Sequence, residues 1–216
     1  IIKIDPEYCP EEIETRQIFG ITLEQLRNNA VIDERIFENI VTENKDLPPE
    51  AKRDLLIATI TLKYTQSNSI CFAYDGQVIG CGAGQQSRIH CTRLAGDKAD
   101  IWMLRQHPKV LSMRFREGLS KPVIDNAIDL YLRDNITEEE LKEWETLFEK
   151  VPEKLDKKEK EEWIKGFGGI SYSSDAFIPF KDNIDRAAKS NVKYVAQPGG
   201  SVRDEDVIRA CNAYNM

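Results

Sequence analysis

Histidine is nearly absent from this 216-residue chain, which has only His90 and His107. They lie too far apart, with no acidic or thiol partner at ligand spacing, to suggest a zinc centre. Cys91 adjoins His90, but neighbours on a helix point about 100° apart and cannot easily share an ion. The five cysteines (Cys9, Cys71, Cys81, Cys91, Cys211) are odd in number and contain no CxxC, which argues against both a disulfide framework and a structural zinc and fits a reducing compartment. Long apolar runs are missing as well. Nothing approaches the ~20 residues of a membrane span, and no basic-then-apolar leader is visible, so a soluble, cytoplasmic protein is expected. Positive charge is in deficit: 30 Lys and Arg face 37 Asp and Glu, a net charge of -7. That balance argues against a general nucleic-acid or membrane-surface binder, since both partners are polyanions. Internal repeats, low-complexity tracts and evident linkers are also lacking.

What is present is an ordinary globular composition, 41% hydrophobic, in a chain long enough for one sizeable core or two small ones. "IIKID" at the start reads as a strand in progress, and the helical pattern "DEDVIRACNAYN" runs almost to Met216, so both ends read as cuts within a larger protein. "LPPEAKRDLLIATITLKY" opens on prolines and places Leu55, Leu56, Ala58, Thr59 and Leu62 at helical spacing, predicting a buried helix over 48–64. "SICFAYDGQVIGCG" has apolar residues on both sides of Asp75-Gly76, a tight-turn dipeptide, and predicts a hairpin at 69–82. A helix is expected from Gln85 to about Gln106, ended by His107-Pro108. Three amphipathic helices follow at 121–133, 137–149 and 156–165, the second opened by the capping box "TEEE". Their mixed charges read as solvated faces. The last fifty residues repeat strand and helix, which points to a three-layer α/β/α arrangement.

Four stretches bear on chemistry. In "GAGQQSRIHCTR" the expected first helical turn, Gln85-Gln86-Ser87-Arg88, carries a cation where the dipole favours an anion. Arg88 therefore meets either an anionic or carbonyl-rich ligand or a carboxylate from elsewhere in the chain; spacing alone leaves both open. Cys91 reads as buried and structural, because His90 cannot serve it as a base, and both histidines read as packing or hydrogen-bonding residues. "KYTQSNS" sets Thr65, Gln66, Ser67, Asn68 and Ser69 between a helix and a strand, where they cap, bond backbone or bind something. "SSDAFIPFKDNIDR" places Asp175 and Asp182 around Phe177 and Phe180, a flat aromatic beside a carboxylate that suits a heteroaromatic ring, although Asp182 also serves as a helix cap. "QPGGSVRDED" is a glycine-rich strand-to-helix loop with Ser201 at the helix start, a phosphate-cradle pattern with many false positives.

Together "LKYTQSNSICFAYDGQVIGCGAGQQSRIHCTRLAGDKAD", "SSDAFIPFKDNIDRAAKSNVKYVAQPGGSVRDEDVI" and "RNNAVIDERIFENIVTENKDLP" resemble the AICAR formyltransferase domain, found alone or fused to IMP cyclohydrolase. The resemblance covers almost the whole chain. It implies a cytidine-deaminase-like α/β/α lobe without the deaminase zinc: residues 61–216 would form the second lobe, and residues 1–60 a helical lead-in from the preceding one. The implied reaction moves a formyl group from the cosubstrate 10-formyltetrahydrofolate to the 5-amino group of AICAR in purine biosynthesis. By the family pattern Asn68 and Arg88 contact AICAR, while Ile89, Phe177, Asp182, Ser201 and Val202 contact the folate. Thr65, Ser67, Ser69 and Asp175 resemble positions that surround a potassium ion in some members. The family's Lys-His pair, in "KHxxPxG", and its "RLFHH"-type tail are absent here, so the chain is expected to hold half of a site and to be inactive alone. A homodimer sharing sites across its interface is implied too. A non-catalytic folate- or nucleotide-binding protein, or an interaction domain with neither ligand, are the alternatives.

Overall fold

A computed structural model describes residues 2–216, which fall into two compact units divided between Ile32 and Asp33. The first is a hairpin of β1 (Ile13–Ile18) and β2 (Ile21–Leu26), paired from Ile13↔Leu26 to Ile18↔Ile21. Phe19 and Gly20, both at positive φ (49° and 79°), make its two-residue turn, the geometry that matches the twist of a hairpin. Arg27 closes its base by donating from Nε to the Glu11 carbonyl at 2.9 Å and pairing with Glu14 at 2.8 Å. The helical lead-in expected over 1–60 is thus corrected. Residues 13–26 pair as the hairpin, and helix is confined to a short 3-10 turn at Glu34–Phe37 and to α1 (Pro49–Lys63). Of the strand expected at "IIKID", Ile1 lies outside the described residues, and residues 2–5 form no strand.

The second unit is built on a four-stranded sheet. β3 (Ser69–Tyr74) and β4 (Gln77–Ala83) form the hairpin turned by Asp75 and Gly76, both at positive φ. Next come α2 (Arg88–Leu104), the short α3 (Pro108–Leu111), α4 (Lys121–Leu132), α5 (Glu138–Glu145) and α6 (Lys157–Lys165). The chain then returns through β5 (Ile170–Ser174), α7 (Asp182–Lys189), β6 (Val192–Ala196) and α8 (Asp204–Ala213). The strand order is β4-β3-β5-β6. β3 is antiparallel to both neighbours, and β5 runs parallel to β6 across the α7 crossover.

Alternation along β3 makes the layers. Ile70 and Phe72 face one side and join the large core with Cys91, Ala95 and Ala99 of α2. Cys71 and Ala73 face the other and pack against Ala58 and Leu62 of α1. The three-layer α/β/α arrangement is therefore present. α2 lies unusually close to β4, because Gly80 and Gly82 leave room: a Cβ there would sit 2.1 Å from the Ala95 carbonyl oxygen and 2.3 Å from that of Cys91. The helices between β4 and β5 enclose an aromatic core in which the buried Trp144 stacks on Tyr131 and donates from Nε1 to the Ala127 carbonyl at 2.8 Å. Trp163 of α6 ties this region to α2 through a 2.8 Å bond to the Met103 carbonyl.

The predicted capping box forms, Thr137 with Glu140, and a second one, not expected from the sequence, pairs Asp156 with Glu159. α5 ends at Glu145 instead of running to residue 149, because the following backbone pairs with another segment: Arg116 N–H bonds Leu147 O, and Glu149 N–H bonds Arg114 O, both at 3.0 Å.

Asp54 shows how the hairpin is held. It is buried on α1, and its Oδ1 accepts from the Gly76 N–H at 2.8 Å and from Arg53 Nε at 2.9 Å. Asp54→Ala strands that turn donor, so a loss of about 1–3 kcal/mol is expected, measured as a lower urea midpoint at unchanged slope.

Candidate functional site

The loop between α1 and β3 and the loop between β4 and α2 are laced together. Gly84, at φ +64°, donates its N–H to the carbonyls of Gln66 (3.0 Å) and Asn68 (2.9 Å). Asn68 Nδ2 returns a bond to the Gln85 carbonyl at 3.2 Å. These bonds hold Gln85 to Ser87 out of the helix, so α2 begins at Arg88, three residues later than its sequence suggests. Its first turn holds no acidic side chain.

Arg88 is only 7% exposed, and its guanidinium is surrounded by acceptors. Nη1 donates to Asp175 Oδ1, to Ser174 Oγ at 3.0 Å and to the Ser69 carbonyl at 3.3 Å; Nη2 donates to Asn68 Oδ1 at 2.9 Å. Of the two partners open for Arg88, the carboxylate from elsewhere is present: Asp175, just beyond the end of β5. It supplies from a distant strand the anion that the turn lacks.

Asp175 is itself well held, accepting from Ser67 Oγ at Oδ2 and from the Ser69 N–H at 3.1 Å. Burial pushes its carboxyl up, but the hydrogen bonds from Ser67, Arg88 and the Ser69 N–H outweigh this and leave it below the ordinary carboxylate value. Asn68, Arg88, Ser67, Ser69 and Asp175 are therefore one cluster, although Ser67 and Asp175 stand 108 residues apart. Thr65 is turned away from it, donating from Oγ1 to the Thr61 carbonyl at 2.6 Å. The Ser69 hydroxyl is buried without a hydrogen-bond partner among the described residues.

Beside the cluster, Ile89 is half-buried in the first turn of α2 and His90 faces solvent. Cys91 is buried and donates its S–H to the Asn68 carbonyl at 3.0 Å, with burial raising its thiol pKa. His107 caps α3, its Nδ1 accepting from the Lys109 N–H at 3.1 Å, and its ring packs edge-on against Trp163. Among the described residues, no group of three or more His, Cys, Asp or Glu is arranged to hold a metal ion, and no helix is long and apolar enough to cross a membrane.

The other predicted contacts gather nearer α7 and α8. Asp182 opens α7 and lies exposed beside a cleft of about 800 Å³ that Phe180, Asp185, Arg203 and Tyr214 also line. Phe177 and Val202 present apolar surface to solvent. Ser201 Oγ accepts from the Arg203 N–H at 3.1 Å, a turn of its own backbone that leaves the phosphate-cradle reading without further support.

Sequence reasoning missed the residues that link these two regions. Thr92 Oγ1 lies 2.7 Å from Asn183 Oδ1, 3.0 Å from Tyr172 OH and 3.2 Å from the Arg88 carbonyl. Asn183 is wholly buried and donates from Nδ2 to Asp182 Oδ1 at 2.9 Å and to the Phe180 carbonyl at 3.1 Å. A polar thread thus runs from Arg88 to Asp182 through the core. Arg203, set 5.2 Å over the Phe180 ring, is the other residue missed; its only signal was its place in the loop before α8.

Residues 1–98 match the family model described as AICARFT/IMPCHase bienzyme. The bifunctional purine biosynthesis protein PurH of Magnetococcus marinus is 33% identical over 178 residues, 82% of this chain and 23% of that protein. The chain accordingly spans about a quarter of the length of this curated relative. On these matches it is related to the AICAR formyltransferase/IMP cyclohydrolase bienzyme family of purine biosynthesis.

Proposed function

We propose that this chain contributes the AICAR- and folate-binding surfaces of a formyltransferase that converts AICAR and 10-formyltetrahydrofolate to formyl-AICAR and tetrahydrofolate. One observation carries the reading: residues assigned to AICAR by resemblance, Asn68 and Arg88, are bonded to each other with Arg88 braced by Asp175, while of those assigned to folate Asp182 ends the polar thread and Phe177 and Val202 stand exposed. A site that must align two small molecules benefits from such bracing.

In the reaction the AICAR amine attacks the formyl carbon, the bond from that carbon to folate N10 breaks, and one proton passes from the amine to N10. Arg88 and Asn68 would orient the AICAR base and carboxamide. Ile89, Phe177 and Val202 would offer apolar contacts to the pterin and its neighbours, and Asp182 would accept from the pterin's amide-type donors. The proton transfer needs a general base, and no "KHxxPxG" motif occurs in these residues. That role falls to residues beyond these, in a homodimer with shared sites, and the chain by itself would be inactive.

Potassium, as the resemblance implies it, finds an oxygen-rich setting in Ser67, Ser69 and Asp175, and the unpartnered Ser69 hydroxyl suits a hard monovalent cation. Thr65 does not share that setting, being bonded to Thr61. The ion's contribution there would be structural, holding the loops that carry Asn68 and Asp175. The lobe's kinship to cytidine deaminases and a cytoplasmic setting belong to the same proposal.

Asp182 supplies the test. Its carboxylate is exposed and bonds only the neighbouring Asn183 side chain among the described contacts. Asp182→Ala is therefore expected to weaken binding of a folate analogue at least tenfold, in line with loss of a charged hydrogen bond of about 1.5–3 kcal/mol, while the melting temperature stays within a few degrees. Equal binding by both proteins would sink the folate assignment.

A further inference from the structure

The register of the β3–β4 hairpin sets Cys71 directly opposite Cys81. Directly opposed antiparallel residues have Cα atoms about 4.5–5.5 Å apart, inside the separation of about 4.4–6.8 Å that a disulfide spans. The two side chains also share a face. Gly80 and Gly82 are turned toward α2, so Cys81 between them points to the α1 side, where Cys71 packs with Ala58 and Leu62. The Cys71 thiol itself points to the Phe72 carbonyl at 3.9 Å, and the two cysteines are close enough for each to shift the other's titration. They differ in access: Cys71 is buried on an interior strand, whereas Cys81 is half-buried on β4, an edge of the sheet.

We propose that Cys71 and Cys81 form a redox-active pair, closing to an intrachain disulfide by exchange with a small disulfide such as oxidised glutathione. Cys81 attacks first. Its sulfur bonds one glutathione sulfur, the glutathione S–S bond breaks, and one glutathione thiolate leaves. Cys71 then gives up its proton to solvent and attacks the Cys81 sulfur, expelling the second glutathione as thiolate. One protein disulfide forms, and one glutathione disulfide is reduced to two thiols.

The surroundings favour this order. The nearby Cys71 side chain, opposed by burial and aided by Lys98 and Thr65, brings the Cys81 thiol down to about 6, and the same interaction together with burial holds Cys71 protonated. Lys98 Nζ is anchored over the strand edge by a 2.9 Å bond to the Cys81 carbonyl. None of the remaining cysteines has this arrangement: Cys9 is exposed, and Cys91 and Cys211 are buried.

The test incubates the reduced protein with oxidised glutathione, blocks free thiols by alkylation, and maps the unreduced digest by mass spectrometry. A Cys71–Cys81 linked peptide is expected as the main intrachain crosslink. Cys71→Ser, checked for folding by circular dichroism, should instead accumulate a stable glutathione adduct on Cys81. Two results overturn the proposal: a Cys81 adduct that persists in the wild type without closing, or an unmodified Cys81 under conditions that modify the exposed Cys9.

Discussion

Arg88→Ala is expected to cost the protein about 3–5 kcal/mol of stability, because removing one member of a buried, hydrogen-bonded ion pair leaves the other charge uncompensated. Here the stranded groups are the Asp175 carboxylate, the Ser174 hydroxyl, the Ser69 carbonyl and Asn68 Oδ1. Urea denaturation of Arg88→Ala, Asp175→Ala and the double variant measures the coupling; the double variant should lose clearly less than the two single losses combined. Arg88→Lys keeps the charge but not the fork that reaches Asp175 and Asn68 together, so an intermediate loss is expected. Acid gives an independent reading. Asp175 titrates below its unfolded value in the folded protein, so its contribution is complete above about pH 4 and disappears as the pH falls through the folded value. Asp175→Asn should flatten that part of the stability curve. A flat curve in the wild type, or a loss under about 1 kcal/mol for Arg88→Ala, would show that the pair is not formed. The same numbers bear on function, since a drop in AICAR affinity is evidence of contact only in a variant shown to stay folded, such as Arg88→Lys.

Gly82→Ala should be comparably severe. The added Cβ would lie 2.3 Å from the Cys91 carbonyl oxygen and 3.0 Å from the Ala95 amide nitrogen, and both are backbone atoms of α2 that no rotamer change can move aside. The helix must shift from β4, opening the packing around Cys91 and Ala95. Overpacking costs about 1–3 kcal/mol and occasionally more, and this contact stands at the upper end. Gly80→Ala meets Ala95 O at 2.1 Å and should behave alike. Gly118→Ala is an unsuitable control because of its φ of +84°, whereas Gly168 has open space around it and no positive φ. Gly168→Ala should leave the thermal midpoint within a few degrees, and a Gly82→Ala protein matching it would refute the close approach of α2.

Local signals in the second unit translated well into elements. Asp75-Gly76 marked the hairpin turn, the prolines marked the start of α1, and Thr137 marked the cap of α5, because each acts within a few residues of itself. Where partners came from afar, the pattern was silent. The end of α5 depends on pairing with residues 114–116, and the late start of α2 on the loop that contains Asn68. In the first unit the misreading had another origin. Residues 13–18 and 21–26 carry no sustained period-2 apolar pattern and stay largely exposed in the hairpin around Phe19-Gly20, so nothing local opposed the helical lead-in that the family resemblance implied. For the site, the mismatch of a cation at a helix start was visible in Arg88 itself, yet the identity of its partner was not, since Asp175 is 87 residues away. Asn183 and Thr92 carry no local mark at all; only burial reveals why their polar groups must meet.

The central pair of the sheet joins Ile70 to Ser174, and everything from α2 to α6 lies between them in the chain. As the polypeptide leaves the ribosome, α1 and the β3–β4 hairpin emerge before β5, and β3 has no neighbour on its other side until about a hundred further residues have been made. Closing so large a loop is slow compared with forming local helices. The nascent chain therefore carries an open β3 edge, with its unpaired backbone donors and acceptors, while those residues are being made. That interval is when a chaperone would be of use to it, and when two half-made chains side by side would be most at risk of pairing with each other.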